Sequence, residues 1–189
     1  MEAPLHSEDP KSAIASAKVL SNLIPNASNL GVRDIVIPCV DQSSINSEAA
    51  ADRFINNLMP IIEIAENNKV NLSLETDLPP SSFLKLLNSF NSRIVTVNYD
   101  IGNSAALGYN PIEELDAYGE RISDIHIKDR NFGGASVILG QGDADFDSFF
   151  KKLKEFNYQG PFIMQAYRDD QGVDIFKKQL DWISPYLNE

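Results

Sequence analysis

Three strand-like runs in this chain alternate apolar with polar residues, and a helical pattern separates each run from the next. In 70–76, Val70, Leu72 and Leu74 share one face while Asn71, Ser73 and Glu75 share the other. In 94–100, Val95, Val97 and Tyr99 oppose Thr96, Asn98 and Asp100; in 122–128, Ile125 and Ile127 oppose Asp124, His126 and Lys128. Strands joined by helices pair in parallel, and an open parallel sheet is covered by helices on both faces, which requires apolar residues at both parities. A closed barrel instead tolerates polar side chains on its inner face near the mouth. The alternation therefore predicts an α/β fold of the TIM-type (β/α) barrel.

The remaining elements follow the same rhythm. Ile14, Val19, Leu20, Leu23 and Ile24 give 10–29 a helical spacing that Gly31 stops, and Asp34–Val40 reads as a strand. Helix 47–68 contains Pro60, whose missing N–H should kink it or start a new turn. Helix 80–90 follows the Pro79-Pro80 punctuation, and a short helix runs from Pro111 to about Tyr118. Beyond Gly133-Gly134 come a short strand 136–139, helix 146–157, strand 162–168 and helix 172–187. Residues 1–189 form one expected domain with six visible strands. A complete (β/α) barrel has eight strands in about 250 residues, so the expectation is an N-terminally incomplete barrel.

Composition removes several classes of function. The chain has 189 residues, 43% of them hydrophobic, enough for a sizeable core. Against 27 acidic side chains stand 16 basic ones, for a formal net charge of −11. A grip on phosphate backbones needs clustered Lys and Arg to displace counterions, so no nucleic-acid partner is expected. The single cysteine, Cys39, lies in the apolar run 36–40 and reads as a buried structural thiol; alone it makes neither an intrachain disulfide nor a multi-Cys zinc site. No apolar run approaches the roughly 20 residues that span a bilayer, and no basic stretch followed by an apolar one opens the chain. No membrane association and a cytoplasmic location are expected.

Four strand-like segments end in a metal-competent side chain: Glu75, Asp100, His126 and Gln165. Catalytic groups of a (β/α) barrel come from the C-terminal ends of several strands. Two carboxylates and an imidazole converging there would suit Mn²⁺, Mg²⁺, Co²⁺ or Zn²⁺, and Gln165 can add a neutral carbonyl oxygen. The plainer alternative is that such carboxylates cap the next helix or bind loop amides. Lys128, Arg130 and Arg168 are cations near strand ends that could hold a phosphate or carboxylate, with surface pairing as the alternative and the favoured reading for Arg130. Gly140-x-Gly142 before Asp145-Phe146 predicts a tight turn into a helix capped by Asp145.

The stretches Leu74-Glu75-Thr76, Asp100-Ile101-Gly102-Asn103, His126-Ile127-Lys128-Asp129, the segment from Gly140 to Phe146 and Gly160-Pro161-Phe162-Ile163-Met164-Gln165 occur in a familiar order. On these motifs the chain resembles the sugar phosphate isomerases and epimerases of the xylose-isomerase-like barrel superfamily, over nearly its whole length. The branch it is most similar to holds L-ribulose-5-phosphate/L-xylulose-5-phosphate 3-epimerases and hexulose-6-phosphate isomerase-like proteins. The resemblance implies a divalent metal held by Glu75, Asp100 and His126, with Glu75 also a proton-transfer base. Gln165 stands where the family usually places a second ligand-base glutamate. The same resemblance puts His6 in a loop at the barrel mouth, toward substrate, with a merely solvated histidine as the alternative. By that alignment Met1–Leu5 match the end of the family's second strand, so two strands and one helix are lacking.

The expected activity is metal-dependent isomerisation or epimerisation of a ketose or sugar phosphate through an enediolate. Epimerisation usually needs acid or base groups on both faces of the enediolate, and a glutamine is neither at ordinary pH. Isomerisation needs only one carboxylate, Glu75, and is the expected reaction unless Lys128 or Asp129 supplies the second group that epimerisation needs. The rival reading is a truncated or degenerate barrel acting as a non-catalytic binding or assembly subunit that closes its edges through another copy, a homo-oligomer. A wrongly assigned start or a fragment is a third explanation. A multi-zinc endonuclease IV-like site is disfavoured by the two histidines and the acidity.

Overall fold

The computed structural model describes residues 3–187. Its contacts cluster into two compact units, Met1–Asn98 and Tyr99–Glu189.

The first unit begins with helix α1 (Pro10–Asn29). Asp9 caps it by accepting from the amides of Lys11 and Ser12, and Pro10 occupies the first turn, where a missing N–H costs nothing. Leu30 and Gly31, the latter at φ 76°, end it where expected. Strand β1 (Asp34–Cys39), helix α2 (Glu48–Asn68), strand β2 (Asn71–Thr76), helix α3 (Pro80–Asn88) and strand β3 (Val95–Asp100) follow. Ser47 caps α2, and the helix runs on through Pro60 as one element. The apolar stripe of α2 supplies Phe54, Leu58, Ile61 and Ala65, and that of α1 supplies Leu20 and Ile24, all buried. A fully buried Leu, Ile or Phe is worth roughly 1.5–3 kcal/mol over exposure, so this face outweighs any propensity penalty at Pro60. Strands β1 and β2 pair in parallel, with Pro38 beside Glu75 and Cys39 beside Thr76; β2 and β3 pair with Leu74 beside Val97.

The second unit holds α4 (Ile101–Leu107), α5 (Pro111–Tyr118), β4 (Ile122–Ile127), the two-residue strands β5 (Asp129–Arg130) and β6 (Ser136–Val137), α6 (Phe146–Leu153), β7 (Phe162–Met164) and α7 (Val173–Leu187). Aromatic contacts fill it: Tyr99 stacks on Phe149 at 4.9 Å, Phe146 meets Trp182 edge-on at 5.1 Å, and Phe150 stacks on Tyr186 at 5.0 Å. A buried polar knot joins α4 and α5, where Glu114 accepts from the hydroxyls of Tyr99, Ser104 and Tyr118. Desolvation raises the Glu114 pKa against these hydrogen bonds, which lower it.

Five strands form the parallel sheet, in the order β1-β2-β3-β4-β7, with helices in the connections, the arrangement of a partial (β/α) barrel. The expected sixth strand, 136–139, is not part of it. Only Ser136–Val137 is extended, and it pairs antiparallel with Asp129–Arg130 in a separate ribbon. The expected strand 162–168 shortens to three residues because the chain leaves the sheet after Met164, apart from one further bond from the Gln165 amide to the Ile127 carbonyl. The polar parity is buried as well as the apolar one: Ser73 and Asp124 are fully buried, and Thr96, Asn98 and Asp100 nearly so. Among the described residues no helix is long and apolar enough to cross a membrane.

Candidate metal centre

Strand geometry delivers three of the expected groups to one end of the sheet. Glu75 is the penultimate residue of β2, Asp100 the last of β3, and His126 the penultimate of β4. Each of the three presents one ligand atom, and these atoms all lie within 4.8 Å of one another. Two carboxylates and one imidazole form a hard-to-borderline donor set suited to a divalent first-row metal or Mg²⁺.

Asp100 divides its two oxygens between fold and site. Oδ1 accepts from the Asn103 amide at 2.8 Å and so caps α4, the plainer role foreseen for such a residue. Oδ2 faces His126 Nδ1 at 3.7 Å and Lys128 Nζ at 3.4 Å. The cap bond thus fixes the carboxylate plane while leaving the second oxygen for charge interactions. Asp124, two residues before His126 on the same face of β4, stands 3.9 Å from Nε2 of that imidazole. It was grouped only with the polar face in sequence, and its i, i+2 relation to His126 was the available signal.

The register of β4 and β7 explains Gln165. His126 pairs with Ile163 and Ile127 with Met164, so the next step sets Lys128 beside Gln165. Lys128 Nζ donates to Gln165 Oε1 at 3.1 Å and to Asn103 Oδ1 at 3.2 Å. Its aliphatic stem lies over the first turn of α4, because a Cβ on Gly102 would come within 2.7 Å of Lys128 Cγ. Gln165 is therefore joined to Asp100 through a lysine.

The other expected residues separate. His6 is buried, not solvated: its ring meets Phe54 edge-on at 6.2 Å, and Arg53 Nε donates to its carbonyl. Burial lowers its pKa, a bond with the Ser44 backbone opposes this, and Arg53 adds to the lowering. Its Nδ1 has no hydrogen-bond partner among the described residues. Arg168 is exposed in the segment after β7. Arg130 spends its guanidinium on the fold, donating to the Gly134 carbonyl and to Asn103 Oδ1 at 2.9 Å. Cys39 is a buried thiol whose pKa is pushed up by desolvation, with Asp77 and Glu75 adding to the shift.

Asp129 was a candidate second acid or base and has a different job. Fully buried, it accepts from the amides of Gly140 and Gly142 through Oδ2, both at 2.9 Å, and from that of Ala144 through Oδ1 at 3.2 Å. A side chain on Gly142 would run into that carboxylate, and Gly140, at φ 80°, lies against the Trp182 indole. The glycines of the 140–144 loop follow from this clasp, and Asp145 caps α6 as expected by accepting from the Ser148 amide.

Comparison with known proteins gives one consistent answer. A family model described as a xylose isomerase-like TIM barrel matches residues 3–186. The chain is 29% identical over 191 residues to the L-ribulose-5-phosphate 3-epimerase UlaE of Escherichia coli O1:K1 / APEC, an alignment covering 95% of this chain and 66% of that protein. It thus spans just under two thirds of the length of the curated relatives it matches. In fold it is similar to a xylose isomerase domain protein from Planctomyces limnophilus, with TM-score 0.80 and 21% identity over 93% of this chain and 67% of that one. A structure described as IOLI protein with a binding zinc atom superposes with TM-score 0.80 at 22% identity, covering 97% of this chain and 74% of that one.

Proposed function

The chain belongs to the xylose isomerase-like TIM barrel family, and from that premise we propose that it takes part in metal-dependent isomerisation or epimerisation of a ketose or sugar phosphate. The observation that carries this reading is the convergence of Glu75, Asp100 and His126. The relative named as an L-ribulose-5-phosphate 3-epimerase supports a sugar phosphate as substrate class, and the zinc-bound neighbour supports a divalent ion. Bound to these three residues, such an ion supplies polarisation of a sugar carbonyl and stabilises the charge that develops on its oxygen.

The chain's own groups carry the proton. Glu75 takes it from the carbon next to the carbonyl, the C–H electron pair forms the enediol C=C bond, and the carbonyl π pair moves onto oxygen. Return of that proton to the neighbouring carbon, with the hydroxyl proton moving between the oxygens, gives the aldose–ketose isomer. Glu75 alone suffices for this same-face transfer. Gln165 carries no group that titrates at ordinary pH, and Asp129 is committed to three amides, so neither supplies a second base on the opposite face. Lys128, Arg168 and His6 are the candidate contacts for the substrate's oxygens or phosphate, His6 through its Nδ1, which has no hydrogen-bond partner among the described residues.

The test is turnover of pentulose and hexulose phosphates by the Mn²⁺-supplemented chain, with solvent deuterium incorporation followed by NMR. Glu75→Gln is expected to cut turnover and exchange by about 10²- to 10⁴-fold, the usual worth of a positioned base. Undiminished exchange in that variant defeats the assignment. Robust 3-epimerase activity that survives Gln165→Ala defeats the single-base scheme.

A second reading, an assembly subunit, draws on a different observation. The sheet ends at β1 and β7, and Val173, Phe176 and Leu180 leave an exposed apolar stripe on α7. A metal-free, inactive chain that sizes as an obligate dimer would favour it.

A further inference from the structure

Asp100 is a carboxylate whose side chain is only 1% exposed, and a buried charge needs a counter-charge. In this chain Lys128 supplies one. Its side chain is 17% exposed, and its Nζ sits 3.4 Å from Asp100 Oδ2, 3.2 Å from Asn103 Oδ1 and 3.1 Å from Gln165 Oε1. The oxygen that Lys128 meets is not the capping oxygen; it is the one facing His126. Gly102 leaves room for the stem there, since any Cβ at that position would strike Lys128.

We infer that Lys128 is a tethered counter-ion to Asp100 that competes with a divalent cation for that carboxylate. This rests on the reading of Asp100 as a metal ligand. An ammonium and a divalent ion drawn to the same oxygen repel one another at a few ångströms, so loading the site displaces Nζ. By that competition the lysine weakens metal binding at Asp100. Gln165, a neutral acceptor, holds the ammonium without adding a further negative charge for it to neutralise.

The competition has a sign that a purely supporting lysine would not give. If Lys128 only held Asp100 in its rotamer, removing it would weaken metal binding; if it competes, removing it tightens binding. Chelator-stripped chain is titrated with Mn²⁺ by calorimetry in the wild type, Lys128→Met and Lys128→Gln, with folding checked by circular dichroism. The expected result is Mn²⁺ binding about tenfold tighter or more in both neutral variants. On the wild type, labelling of the Lys128 amine by an acylating reagent, read by peptide mass spectrometry, is expected to quicken when Mn²⁺ is added. Unchanged or weaker Mn²⁺ affinity in a folded neutral variant overturns the inference, as does labelling that fails to quicken, while the metal site itself stands. No Mn²⁺ binding by any of the three proteins fells the metal reading and the inference with it.

Discussion

Burial disfavours the charged form of an imidazole, and His6 is pushed toward neutrality. Burial lowers its pKa, the Ser44 backbone bond resists, and the Arg53 charge reinforces the lowering. Between the lowered folded value and the unfolded value of about 6.5, the unfolded chain takes up a proton that the folded chain refuses. Stability therefore rises with pH through that window and is lost as pH falls below about 6.5. Urea midpoints measured from about pH 8 to about pH 5 should fall in the wild type and fall less steeply in His6→Gln; equal slopes would remove His6 as the source. In sequence this histidine was one polar residue near a terminus, and the aromatic neighbour Phe54 that buries it lies far along the chain. Cys39 was readable because its own flanks are apolar and burial followed from them.

Elements were legible where periodicity ran long and illegible where a tertiary bond made them. Helices α1, α2 and α7 and strands β2 to β4 fall within a few residues of their expected bounds, since their apolar spacing is their reason for existing. Helix α4 escaped notice: seven residues starting Ile-Gly-Asn have no amphipathic period, and Asp100 and Gly108 at its ends were its only local signals. The glycines of the 140–144 loop are legible in sequence, but its organiser is not, because Asp129 follows His126 in sequence and nothing local ties it to residues 140–144. Asp129→Ala is expected to strip acceptors from the amides of Gly140, Gly142 and Ala144 and to cost about 3 kcal/mol or more, read from urea unfolding. Asp129→Asn should recover part of that, since one amide oxygen can still accept. A loss below about 1 kcal/mol for Asp129→Ala would mean the loop holds its shape without the clasp.

At the scale of the molecule, the alternating parity of three strands was enough to indicate a barrel wall, because polar residues on a buried face are stable only where they meet one another. The number of strands was less readable, since a two-residue ribbon and a sheet strand share the same short apolar signature. Glu75, Asp100 and His126 belong to three different strands, and a ligand that binds only the folded arrangement stabilises it by mass action. Mn²⁺ at about 100 times its dissociation constant should raise the unfolding free energy by about 2.7 kcal/mol, and a chelator should reverse the shift in melting temperature. A melting temperature indifferent to both would argue against a site in the folded chain. The distance along the chain between these three residues has a kinetic meaning too. A transition state that has not yet joined β2, β3 and β4 would offer an ion no complete set of donors, so a bound ion is expected to slow unfolding and leave the rate of folding nearly untouched.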